Sequence, residues 1–196
     1  MKWSVIKKEL IYNGFFKLSG FQLQHDLFAG GQSEVLTREL LHKGQVVTVL
    51  PYDPVTDEVV LVEQFRTGSI EDESGPWMME IIAGYQEPDE TAEDVAYREA
   101  HEEAGCEVTE LFSMVKYYSS PGGCNEQIQI FLGRTESSGI EGIHGLDEEG
   151  EDIRVHVVKS EQAFDWLDNG EIDSAAPIIA LQWFRLHRDR IRKEWS

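Results

Sequence analysis

The sequence predicts an α+β fold, and three observations carry that prediction. Short strand-like segments separated by turn residues fill the first third, one helical segment with stop signals at both ends lies near the middle, and two further helical segments close the chain. Trp3 to Tyr12, Phe15 to His25 and Glu34 to Leu41 read as strands, parted by Asn13-Gly14 and Ala29-Gly30-Gly31. Those residues suit tight turns because glycine and asparagine tolerate positive φ, so the three segments predict a small antiparallel sheet. A strand from Gln45 to Pro51, a turn through Asp53-Pro54 to Asp57 and a strand from Glu58 to Gln64 follow. Pro76 to Ile82 (PWMMEII) reads as a buried strand that ends at Ala83-Gly84.

The central helix is punctuated on both sides. Pro88 breaks what precedes it, Thr91 offers a cap to Asp94, and Gly105 suits the left-handed position after a helix. Strands are expected near Leu111 to Tyr118 and over Gln127 to Leu132, on either side of the loop SSPGGCNE. Residues 136–150 are acidic and glycine-rich and predict a long loop before alternation resumes from Glu151 to Val158. A helix from Ser160 to about Asp168 stops at Asn169-Gly170, and a last one starts near Ser174.

The chain of 196 residues is long enough for one substantial core, and 41% hydrophobic with 28% charged residues is ordinary globular material. A formal charge of −20 argues against nonspecific nucleic-acid binding, which needs a basic surface. An anionic substrate therefore has to be received by bound metal and a few placed arginines. The two cysteines, Cys106 and Cys124, have no metal or redox spacing and are expected to be buried small hydrophobes. No apolar run reaches the length of a membrane span or resembles a signal peptide, which predicts a cytoplasmic protein.

Gly84 to Cys106 carries the chemistry. A glycine, five residues, Glu90, seven residues, Arg98-Glu99, two residues, Glu102-Glu103, one residue and Gly105 fall at fixed intervals. A helix turns 100° per residue, so Glu99 and Glu103 lie within about 40° of one another, with Glu102 beside them. Ala92, Val95 and Ala96 share that stripe, so the carboxylates continue a face that begins apolar. Like charges so placed repel unless a divalent cation joins them, and oxygen ligands favour Mg²⁺ or Mn²⁺. Arg98 reads as a scaffold residue, paired with Glu90 or Glu102.

This stretch resembles a complete Nudix box, and the chain as a whole is similar to bacterial ADP-ribose pyrophosphatases. The SPGG stretch with Pro121, the segment GLDEEGEDIRVHVV and the N-terminal sheet carry the wider resemblance. The resemblance implies a Nudix fold, a mixed β-sheet sandwiched between helices, over 44–196. Residues 1–43 are then an N-terminal antiparallel module that serves dimerisation and substrate contact. It implies metal ligands at Glu99, Glu103, Glu151 and the carbonyl of Ala83, with two or three Mg²⁺ per site. Glu149 is implied as general base, and Glu102 as a residue that orients water or metal. Arg38, Arg66, Tyr85, Ser120 and Glu126 are implied substrate contacts. Phe15 and Phe16 are implied to hold the adenine ring from the partner subunit of a homodimer that exchanges its N-terminal module; read by themselves they are expected in the core. The reaction implied is hydrolysis of ADP-ribose to AMP and ribose 5-phosphate. A pyrophosphatase for another nucleoside diphosphate sugar such as GDP-mannose, and a sensor that binds ADP-ribose without cleaving it, are the competing readings. The intact box weighs against the sensor.

Overall fold

The computed structural model describes residues 1–146, 148 and 150–195. The chain divides into two compact units, one of residues 1–45 and 117–127, the other of residues 46–116 and 128–196.

The first unit is built on strands β1 (Trp3–Asn13), β2 (Lys17–His25) and β3 (Leu36–His42), an antiparallel sheet in that order. Asn13 to Lys17 makes the first turn, and Phe15 sits at its tip, 89% exposed, with Phe16 at 36%. The core placement expected for these two rings is therefore overturned: they lie at an exposed turn and pack edge to face on each other, ring centroids 4.8 Å apart. Every residue of β1 is exposed although it carries Trp3, Val5, Ile6, Leu10, Ile11 and Tyr12. Segment 117–127 joins this unit through a parallel bridge from Leu41 to Cys124, and Asn125 Oδ1 accepts hydrogen bonds from the amides of Lys43 and Gly44.

The second unit is a mixed sheet with helices on both faces. Strands β4 (Gln45–Asp53), β5 (Glu58–Phe65), β8 (Glu110–Tyr118), β9 (Gln127–Arg134), β10 (Ile143–His144) and β11 (Ile153–Lys159) are ordered β10-β11-β5-β4-β9-β8. Strand β6 (Trp77–Glu80) pairs with β5 and β7 (Ile82–Tyr85) with β4. The expected single strand from Pro76 to Ile82 is thus two, because the chain changes partners at Ile81. Trp77, at the start of β6, is 64% exposed rather than buried. The long loop expected over 136–150 contains β10, which pairs with β11.

Period-two alternation sorts the sheet residues between the helices. Val47, Val49, Val60, Val62, Ile82, Phe131, Ile153 and Val155 face helix α1 (Ala92–Ala104) and its Val95, Ala96, Ala100 and Ala104. Leu50, Tyr52, Val59 and Leu61 alternate to the other face, where helices α2 (Ser160–Asp168) and α3 (Ala175–Trp195) cover them. There Tyr52 packs on Phe184 with ring centroids 4.6 Å apart. Strands buried on both faces read as near-continuous apolar runs, which is why β4 and β5 lack a polar alternation. Asp57, in the turn between β4 and β5, has a positive φ of 60° and fastens α3 to that turn: Arg188 Nε donates to its Oδ1 at 3.0 Å, with Tyr52 Oη and Ser160 Oγ on the same oxygen. Among the described residues no helix is long and apolar enough to cross a membrane.

Candidate active site

Helix α1 is fixed at both ends before its carboxylates do anything. Thr91 caps it, its hydroxyl accepting from the Asp94 amide at 3.1 Å while Asp94 accepts from the Thr91 amide at 3.1 Å, a reciprocal arrangement that contributes about 1 kcal/mol. Gly105 ends it at φ 58°, where an added Cβ would also meet the His144 ring at 2.8 Å. The side chains that stabilise this helix against the sheet are Val95, Ala96, Ala100 and Ala104, and Glu103 lies among them, 2% exposed.

Glu103 Oε2 accepts a hydrogen bond from the amide of Ala83 at 3.0 Å, which ties the helix to β7. Burial pushes its carboxyl up to about 8, and the charges of Glu99 and Glu151 add to that, against the Ala83 amide and the charge of Arg66. Glu99 lies against Gly84: a Cβ at 84 would come within 1.7 Å of Glu99 Oε1, so this box position has no room for a side chain. Burial raises Glu99 to about 7 despite its contact with Arg98, with Glu102 and Glu151 contributing. A buried and a half-buried carboxylate whose charged forms are both disfavoured, on one helix stripe, mark a candidate site for a cation.

Arg98 binds the box together rather than facing it outward. Its Nε and Nη2 donate to Glu90 at 2.9 and 3.2 Å, its Nη1 to Glu99 at 2.7 Å and Glu102 at 3.0 Å, and Nη2 to the Tyr85 carbonyl at 3.4 Å. Glu151 Oε2 accepts from the Leu146 amide at 3.1 Å and packs on Gly145, whose φ of 101° only glycine adopts readily. Glu99, Glu103 and Glu151 therefore each answer to a different protein donor. Among the described residues no three His, Cys, Asp or Glu side chains form a finished metal cage. The donor set fits a hard divalent cation, because it offers only oxygen and a divalent charge would offset the burial that raises Glu103 and Glu99. Glu149 lies outside the described residues.

The remaining expected contacts divide between the units. Arg66 and Tyr85 belong to the second, with Arg66 Nε on Glu80 Oε2 at 2.6 Å. Phe15, Phe16, Arg38, Ser120 and Glu126 belong to the first. There Arg38 donates to the Thr37 carbonyl, the Ser120 carbonyl accepts from the amides of Gly123 and Cys124, and Glu126 pairs with Lys43, whose ammonium lies over the Phe16 ring. Two residues not singled out from sequence join the second set. Glu80 is the partner of Arg66, and Gln64 is 6% exposed with its Nε2 lacking a hydrogen-bond partner among the described residues. Alternation back from Arg66 along VEQFR was the available signal for Gln64. A cavity of about 410 Å³ lined by Glu63, Trp77, Ile143, Asp152 and Arg154 opens elsewhere, since Glu63 and Arg154 alternate away from the α1 face.

A family model described as the NUDIX domain matches residues 42–186. The chain is 47% identical over 195 residues to an ADP-ribose pyrophosphatase of Haemophilus influenzae, covering 98% of this chain and 90% of that protein. It is 45% identical over 192 residues to an ADP-ribose pyrophosphatase of Escherichia coli K12, covering 98% and 92%. A crystal structure described as an ADP compounds hydrolase superposes with a TM-score of 0.74 over 98% of this chain and 97% of that one, at 19% identity, and shares the fold. The helix that sets Glu99, Glu102 and Glu103 on one stripe, the glycine that Glu99 lies against and the domain match leave one assignment: the chain belongs to the Nudix hydrolase family.

Proposed function

We propose that this protein hydrolyses the pyrophosphate bond of ADP-ribose to AMP and ribose 5-phosphate, using water activated by Mg²⁺ or Mn²⁺. The observation that carries the reading is Glu103, a carboxylate 2% exposed on a helix stripe shared with Glu99 and held by the Ala83 amide. The named activity of the Haemophilus and Escherichia relatives supports the substrate.

Glu99, Glu103, Glu151 and the Ala83 carbonyl would hold two or three ions. Bound there, the metal supplies a lowered pKa for water and offsets charge that develops on the phosphate oxygens. The chain's own residues do the rest. Glu149 accepts the proton of the attacking water, and Glu102 orients that water or the metal. Arg66 meets the diphosphate, while Tyr85, Ser120, Glu126 and Arg38 place the two ends of the substrate. Phe15 and Phe16 stack on adenine from the partner subunit of a homodimer. The exposed apolar side chains of β1 and the 89% exposed ring of Phe15 support a surface that a second copy covers.

Side-by-side turnover of ADP-ribose and GDP-mannose tests the substrate. A kcat/KM at least about tenfold higher for ADP-ribose is expected. Preference for GDP-mannose would move the reading to another nucleoside diphosphate sugar, and tight binding of intact ADP-ribose without turnover would move it to a sensor.

A further inference from the structure

We propose that Glu80 is a positioning residue for diphosphate recognition: it holds the Arg66 guanidinium through Nε so that the two terminal nitrogens are presented to the substrate. The inference rests on the pyrophosphatase reading given above. Arg66 directly follows β5 and keeps an extended backbone, φ −124° and ψ 115°, so the strand's alternation carries on through it. Val62, Gln64 and Arg66 therefore share the face that α1 covers. Glu80 stands opposite Val62 in the β5–β6 ladder and so lies on that same face. The Arg66 amide donates to the Pro76 carbonyl at 2.7 Å, which fixes the main chain at the point where the side chain departs.

The pair itself is asymmetric. Glu80 is rooted in the sheet, its side chain 17% exposed, while Arg66 is 41% exposed and meets it only through Nε, at 2.6 Å. A guanidinium gripped at Nε keeps its Nη1 and Nη2 edge as a flat fork, the shape that binds two phosphate oxygens at once. Without the grip the same side chain spreads over many rotamers, and the fork has to be ordered by the substrate. Arg66 shares its face of the sheet with helix α1, which carries Glu99 and Glu103, and its positive charge acts on the Glu103 carboxyl. A further carboxylate on this face would deepen the negative field of Glu99, Glu103 and Glu151, and its contact with Arg66 cancels that effect.

The test measures kcat and KM for ADP-ribose, and calorimetric binding of ADP and adenosine with Mg²⁺ present, in wild type, Glu80→Ala, Glu80→Gln, Arg66→Ala and the Glu80→Ala/Arg66→Ala double variant. Melting temperatures are recorded for all five. Glu80→Ala is expected to lower kcat/KM about tenfold and to weaken ADP by a similar factor while adenosine binding is unchanged. Glu80→Gln, which keeps an oxygen acceptor, recovers part of the loss, and on the Arg66→Ala background the Glu80 substitution has no further effect. An equal loss with and without Arg66, equal weakening of ADP and adenosine, or a fall in melting temperature alone overturns the inference. Absence of wild-type turnover would defeat the ADP-ribose reading and leave Glu80 to be judged on ADP binding. Wild type that binds no ADP overturns both.

Discussion

Gly84→Ala adds one methyl group, and the structure says where it goes. The new Cβ would lie 1.7 Å from Glu99 Oε1 and 2.1 Å from the carboxyl carbon. Gly84 is outside the positive-φ region, so the main chain accepts alanine and the clash falls on a flexible side chain. Ordinary contact begins near 3.4 Å, so the carboxylate has to retreat by about 1.7 Å. A misplacement of about 1 Å can cost roughly 100-fold in rate, whereas moving one glutamate side chain from its Cγ outward, with loss of its Arg98 contact, costs the fold far less. The variant should therefore lose about 100-fold or more in kcat at saturating Mg²⁺, with a melting temperature within about 4 °C of wild type. Steady-state hydrolysis of ADP-ribose and a thermal melt on the same preparation decide it. Activity within about threefold of wild type in a folded variant would refute the placement of Glu99 as a ligand working from one position.

Glu103→Gln should lower turnover at least about 100-fold at saturating Mg²⁺ in a protein that circular dichroism shows to be folded; near wild-type rates would sink the metal assignment. Glu149→Gln should act mainly on kcat, by roughly 100-fold, and an effect confined to KM would give Glu149 a binding role instead. The staple between α3 and the β4–β5 turn predicts a pH dependence. Burial opposes ionisation of Asp57, but the Arg188 guanidinium and the Tyr52 and Ser160 hydroxyls outweigh it and hold the carboxyl below its ordinary value of 3.8. A depressed carboxyl stabilises the fold above that ordinary value, and the contribution is lost as pH falls through the lower folded-state value. Asp57→Asn, which tolerates the same positive φ, should therefore cost about 1–3 kcal/mol in urea unfolding at pH 7, with the gap to wild type narrowing below about pH 4. A gap that stays constant with pH would show that the charge contributes nothing.

The parts of the fold fixed by local chemistry were legible. Thr91 with Asp94 and Gly105 bound α1, and Asn169-Gly170 stops α2, because caps and left-handed positions are written in single residues. The stripe of Glu99 and Glu103 was legible for the same reason, being a matter of helical spacing. What depends on partners distant in sequence was not. Nothing in PWMMEII shows that the chain leaves β5 for β4 at Ile81, so the exposed Trp77 read as buried. Phe15 and Phe16 look like core residues until the turn that carries them is seen to leave both rings exposed. Glu80 was invisible as a site residue, since its role comes from a ladder that sets it opposite Val62 and beside Arg66.

Hydrolysis of ADP-ribose in H₂¹⁸O, with and without Mg²⁺ and with products identified by mass, tests the central claim most directly. AMP and ribose 5-phosphate, formed only with the metal and with one of them carrying a single ¹⁸O, is the predicted result. Turnover that ignores the metal, or ADP-ribose recovered intact in its presence, would contradict it.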